Sequence, residues 1–287
     1  MPTQLSPIVV NASARGGILS CDYSPGRAIL SPMHDGLTHR TLAKVITGEP
    51  SLSIQTANVG EWLGILAASA ASQIPYLTLT GITWIDRTLS ANAPTNAAGS
   101  VHEQGTASSG TLCMTGLSAP ANQAATMSLA AMIMSSDGTD PVTFSQVAAP
   151  SDGTTLASWV LDSCTLDGTA VDYVDSVQVT PEITWEIQRG PKAFPIFVRP
   201  HRVDWSIAVT HRNVELQRTK GDKAATGSVV LKNLVTGGPT RGSSTVTFSV
   251  VGLLHQSGAS RGADSSATCT TTIRGAHATA PATWAIA

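Results

Sequence analysis

The residues best suited to chemistry are numerous here, but their spacing does not assemble them. The seven histidines are His34, His39, His102, His201, His211, His255 and His277. None forms H-x-x-x-H or H-E-x-x-H, the spacings that put two imidazoles on one helix face around a metal. His102-Glu103 has no ligand spacing nearby. His201-Arg202 and His211-Arg212 bracket the run Val203–Val209 and are expected to be solvated strand ends. The cysteines Cys21, Cys113, Cys164 and Cys269 are far apart, with no C-x-x-C pair to hold zinc or run a redox cycle. Four buried free thiols are expected. Asp137, Asp140, Asp152, Asp162, Asp167, Asp172 and Asp175 form an acidic-rich middle without D-x-[DN]-x-[DN]-G spacing. Aspartates that cap their own turns are the better reading.

Two nucleophile and phosphate motifs can be tested in the same way. Gly258-Ala259-Ser260-Arg261-Gly262 has G-x-S-x-G spacing, but it lies in the small-residue stretch 254–268 with no helical pattern after it, so a hydrolase serine has no support. Gly237-Gly238-Pro239-Thr240-Arg241-Gly242-Ser243 has the outline of a phosphate loop. It lacks the lysine, and no helical pattern follows, so a hairpin loop is expected. The expectation is therefore no catalytic, metal or cofactor-binding residues, no cofactor and no enzyme.

The elements that would position any site are mostly strands. From Val171 to Ile187 the odd positions Val171, Tyr173, Val177, Val179, Ile183, Trp185 and Ile187 are apolar, a period of two with one face inward. A kink is expected at Pro181. After a turn at Arg189-Gly190-Pro191-Lys192 come Phe194–Val198 and a second alternating run through Val203, Trp205, Ile207 and Val209. Further strands are expected at 18–23, 52–56, 76–85, 111–117, 126–134, 159–166, 227–235, 245–252 and 269–273. Trp185, Trp205 and Phe248 are expected in the core. Asp137-Gly138 and Asp167-Gly168 read as tight turns. One helix, 57–68, puts Val59, Trp62, Leu63 and Leu66 on one side with Asn58 as N-cap. Gly60 and Gly64 make it dependent on packing against a sheet. Segments 91–110 and 254–268 are expected to be long loops.

Composition limits the partners. The 287 residues are 42% hydrophobic and only 13% charged, about half the usual charged share of around 25%. A net charge of −2 gives no field to hold phosphate backbones. Low charge also weakens repulsion between copies. Met1 to Val10 has no basic flank and no long apolar stretch, and Ile18-Leu19-Ser20-Cys21 lacks the apolar run of a lipoprotein signal. No stretch reaches the roughly 18–20 apolar residues that span a bilayer. Synthesis in a reducing cytoplasm and no membrane partner are expected.

One arrangement is more specific. The run from Asp175 to Gly190, through Val177, Thr180-Pro181-Glu182 and Trp185, leads by a polar turn into Phe194-Pro195-Ile196-Phe197-Val198 and on to Trp205-Ser206-Ile207. This resembles the tail tube (major tail) proteins of long-tailed bacteriophages. Gly48-Glu49-Pro50-Ser51-Leu52-Ser53-Ile54-Gln55-Thr56 before the helix is similar in layout, as are the turns after 126–134 and 159–166. The likeness covers 45–250 in element order and 175–207 at residue level. Pro191 departs from the charged Gly-Asp turn of many relatives.

The resemblance implies a mainly β fold, sandwich- or barrel-like, with one short flanking helix and long loops. It implies one domain over 1–287, with 1–44 and 252–287 as arms or loops used in assembly. It further implies a virion structural protein that polymerises as rings, six copies each, stacked into a tube. Double-stranded DNA would pass the lumen without specific binding, and other tail proteins would meet the tube ends. Rival expectations are a head decoration or tail terminator protein, a secreted carbohydrate- or surface-binding β-sandwich and, last, an enzyme.

Overall fold

The computed structural model describes residues 8–30, 44–66, 75–88, 101–148, 157–213, 216, 223–235, 240–260, 268–275 and 282–287. The chain opens with β1 (Ile8–Val10), β2 (Ser13–Arg15), β3 (Ile18–Ser24), β4 (Ala28–Leu30), β5 (Lys44–Thr47) and β6 (Ser51–Thr56). The helix α1 (Val59–Leu66) follows, then β7 (Tyr76–Leu79), β8 (Ile82–Thr88), β9 (Val101–Ala107) and β10 (Gly110–Pro120). Next come β11 (Thr126–Ile133), β12 (Val142–Ala148), β13 (Trp159–Leu166), β14 (Thr169–Ala170), β15 (Val174–Arg189) and β16 (Pro195–His211). The last strands are β17 (Lys223–Leu234), β18 (Arg241–Ser260), β19 (Thr268–Gly275) and β20 (Ala282–Ile286).

Among the described residues the protein is thus mainly β, with the short helix α1. A 13-stranded antiparallel sheet runs β14-β13-β17-β18-β19-β16-β15-β10-β11-β6-β3, with β20 on β18 and β7 on β10. A sheet of that width curls, because each strand is twisted against the last. Here the curl brings β13 back to the turn after β10. The Ala125 N–H donates to the Trp159 carbonyl at 2.7 Å, and Ala124 bridges Val160. A smaller sheet, β12-β9-β8-β1-β2, packs on β3 through Trp84 and Tyr23, whose rings lie 5.3 Å apart. Phe248, Val250, Val229, Leu231, Ile273, Ile207, Val209, Val177 and Val179 are buried inside the curl.

The helix depends on this packing. Val59, Trp62, Leu63 and Leu66 are all buried, the four residues its apolar stripe predicts. Trp62 Nε1 donates to the Gly16 carbonyl at 3.2 Å, and Arg15 pairs with Glu61 at 3.2 Å. Asn58 stands at the N-cap position, but its side-chain amide bonds Glu61 rather than the helix backbone. A Cβ on Gly60 would run into the Trp159 indole, so glycine is what lets helix and strand approach. The predicted residues 67–68 lie outside those described.

Several expectations are corrected. Segment 91–110 is not a loop throughout: 101–107 is β9, a strand with His102, Gly105 and Ala107 buried. Its small residues serve packing, since a Cβ on Gly105 would overlap the Trp84 ring. Likewise β18 continues through Ser260, because β19 pairs with it from Gly252 to Ser260 while β17 follows as far as Leu254. Residues 91–100 and 261–267 lie outside the described ones. Val171–Tyr173 precedes the long strand, and Tyr173 is 79% exposed with φ 55°. No register shift falls at Pro181, which pairs with Trp205; the shifts are at 174/176, 184/185 and 188/189. The runs at 194–198 and 203–209 are one 17-residue strand.

Candidate functional site

Among the described residues the chemical groups are dispersed. His34, His39, His277, Asp152 and Gly237–Pro239 lie outside the described residues. His201 is not a strand end; it is exposed within β16, at the bulge opposite Thr184/Trp185. His211 is a correction of another kind, for it is fully buried. Its Nδ1 accepts from the Asn213 N–H at 3.2 Å, so Nε2 carries the proton and donates to Thr271 Oγ1 at 3.0 Å. Burial holds its pKa below the usual 6.5, with Asp175 acting against that shift. His102 is buried on β9, and His255 is exposed on β18.

The cysteines are free thiols; Cys113, Cys164 and Cys269 are buried, whereas Cys21 on β3 is only half-buried. Burial alone pushes the Cys164 thiol up to about 12 and raises Cys113 further. Neither is poised as a nucleophile.

The aspartates behave as turn and ion-pair residues. Asp137 Oδ1 accepts from the Thr139 N–H (3.0 Å), Thr139 Oγ1 (2.6 Å) and Ser135 Oγ (3.0 Å). Those bonds lower its pKa to about 2. Asp167 and Gly168 both take positive φ, as a two-residue hairpin between β13 and β14 requires. Asp162 holds Lys232 at 3.2 Å and also Arg241. Asp175 pairs with Arg212 at 3.0 Å. Among the described residues no three His, Cys, Asp or Glu side chains converge as a metal site would need. β17 and β18 pair antiparallel, with Leu234 opposite Arg241 and the Val235 N–H on the Thr240 carbonyl at 2.9 Å, while residues 236–239 between them lie outside the described ones.

What the structure concentrates instead is unpaired strand. β15 meets β10 only over Ser176–Val179, and β16 meets β19 only over Ser206–His211. Among the described residues, from Pro181 to Arg189 and from Pro195 to Trp205 the two strands have only each other in the sheet, so they form a hairpin arm. Its tip folds back on the body. The Ser135 N–H donates to the Pro195 carbonyl (2.8 Å), Thr111 Oγ1 to the Val198 carbonyl (2.8 Å) and the Gly48 N–H to the Ala193 carbonyl (3.0 Å). Arg189 pairs with Glu49. Ile196 remains exposed, and Trp185 is only half-buried. This corrects the expectation that Trp185 joins Trp205 and Phe248 in the core.

A groove of about 260 Å³ opens at the fork where β19 stops beside β16, lined by Glu182, Arg202, Asp204, Trp205, Ser206, Arg274 and Gly275. Its charges balance, and Arg202 bonds Asp204 at 3.0 Å. Among the described residues no helix is long and apolar enough to cross a membrane. The chain matches no protein-family model and no curated protein.

Proposed function

We propose that this chain is a virion structural protein that polymerises into stacked rings, the tail tube through which double-stranded DNA leaves a long-tailed phage. The observation that carries this reading is the arm of β15 and β16. It coincides with the stretch, 175–207, that resembles tail tube proteins at residue level, and it extends beyond its neighbours in the sheet. An arm with an open edge supplies backbone groups that a neighbouring copy can satisfy. A head-to-tail contact of this kind closes a ring when the rotation permits, and stacking rings gives an open-ended tube. The net charge of −2 leaves passing DNA without a basic surface to bind.

In this reading six copies form each ring, other tail proteins cap the tube, and the protein resides in the virion tail after synthesis in the host cytoplasm. No residue acts as a catalyst and no cofactor takes part. Cryo-imaging of the concentrated protein, or of particles containing it, tests the proposal. Hollow tubes of uniform width, with a lumen that admits duplex DNA, are expected. Closed rings that never stack would favour a tail terminator, and a position on the capsid surface would favour a head decoration protein.

A further inference from the structure

Among the described residues β12 is the outer strand of the smaller sheet and pairs only with β9. The pairing runs from Val142↔Ala107 to Ala148↔Val101 without a register shift. Val142-Thr-Phe-Ser-Gln-Val-Ala148 contains no charge and no proline. Native edges usually carry a guard against pairing, such as a charge, a proline, a bulge or shortness. Among the described residues several other open edges have one, although β7 (Tyr76–Leu79) and β20 (Ala282–Ile286), each paired with one strand, are likewise uncharged and regular. β3 has a register shift between Ile18 and Ser20 and carries Asp22. The arm carries Glu182, Glu186 and Arg189 on β15, and Pro195 and Pro200 on β16. β2 and β14 are three and two residues long.

The unguarded edge also leaves an aromatic cluster unfinished. Phe144 lies opposite Gly105, which lies opposite Trp84, so the three form a row across the sheet. Tyr23 covers this row from β3, 5.6 Å from the Phe144 ring, and Trp84 meets Phe144 edge-on at 6.3 Å. Phe144 is nonetheless 44% exposed, with no further strand beyond it among the described residues.

We propose that β12 is a self-pairing edge, through which two copies join antiparallel about a two-fold axis at Ser145. Val142 then faces Ala148 of the second copy, Thr143 faces Val147, and Phe144 faces Gln146. The partner is a second copy because this strand meets its own requirements: equal length, no like charge opposed to another, and a regular register. In this register the two Phe144 rings become diagonal neighbours, within reach of one another, and complete each other's cluster. The two small sheets become one continuous sheet. A two-fold contact is closed, so it cannot propagate a polar tube. The pairing therefore goes beyond the tube reading and does not rest on it.

The test uses the full chain with Cys21→Ser, which removes the half-buried thiol. Ser145→Cys is expected to give a disulfide-linked dimer on mild oxidation, since directly opposed residues bring their Cα atoms within disulfide reach. Thr169→Cys, exposed on β14, is expected to stay monomeric under the same conditions. Thr143→Lys, which guards the edge but leaves the aromatic row intact, is expected to weaken dimerisation about ten-fold or more by sedimentation, with an unchanged circular dichroism spectrum. A parent chain that sediments as a monomer throughout, equal cross-linking through residue 169, or a Thr143→Lys variant that dimerises normally would each overturn the proposal. Tubes from a chain that does not self-pair would sink only the pairing. A dimer that forms no tubes would sink only the tube reading.

Discussion

At the scale of single residues, position in the sheet outweighs residue type. Trp185 and Trp205 share the same alternating pattern, yet Trp205 is 1% exposed inside the curl and Trp185 sits half-buried on the arm. Trp205→Ala is expected to cost about 3–5 kcal/mol, as for a large side chain removed from a tight core. Trp185→Ala is expected to cost about 1–2 kcal/mol. Denaturant midpoints decide between them, and equal losses would mean that the arm is as tightly packed as the body. His211 gives a pH dependence. Burial holds its folded-state pKa below 6.5, with Asp175 acting against that, and its neutral form is the one that bonds both Asn213 and Thr271. Below that unfolded-state value the unfolded chain binds more protons, so the contribution is full above it. It is lost as pH falls towards the folded pKa. His211→Gln is expected to flatten this fall, read as the difference in urea midpoint between about pH 7.5 and about pH 5.

At the scale of elements, α1 offers a sign test for the role of packing. Helix propensity alone predicts that alanine stabilises by about 1 kcal/mol at either Gly60 or Gly64. Gly64 is exposed, and its nearest outside neighbour, Ile286 Cδ1, is 4.0 Å from an added Cβ. Gly64→Ala is expected to gain up to that amount. At Gly60 the new methyl would overlap the Trp159 ring and force helix and β13 apart. Gly60→Ala is expected to lose about 1–3 kcal/mol. Thermal or denaturant unfolding of the two variants checks the pair, and gains at both sites would show that the helix does not bear on Trp159.

At the scale of the whole molecule, the low charge decides how copies should meet. With 13% charged residues and contacts made through backbone edges, assembly has little long-range Coulomb energy to lose on screening. Whatever the protein forms, the assembled fraction is expected to change little between about 0.05 M and about 0.5 M salt, where the Debye length falls several-fold. Sedimentation across that range measures it. Dissolution of the assembly at high salt would place ion pairs, rather than edges, at the contact.

The amino-acid sequence by itself determined the class of fold, the helix with its four buried residues and the turns at Asp137 and Asp167. Those features depend on local periodicity and spacing, which neighbouring residues carry. It did not show β9, whose small residues read as loop until Trp84 is seen lying on Gly105. Nor did it show the end of β18, whose partners are distant in sequence. The exposure of Trp185, the burial of His211 and the bare edge of β12 were decided only by tertiary structure. An alternating strand has the same pattern whether one, two or no strands lie beside it. Which edges stay open, and which faces gain a second layer, depends on the order of strands in the sheet, and that order is set by long-range pairing.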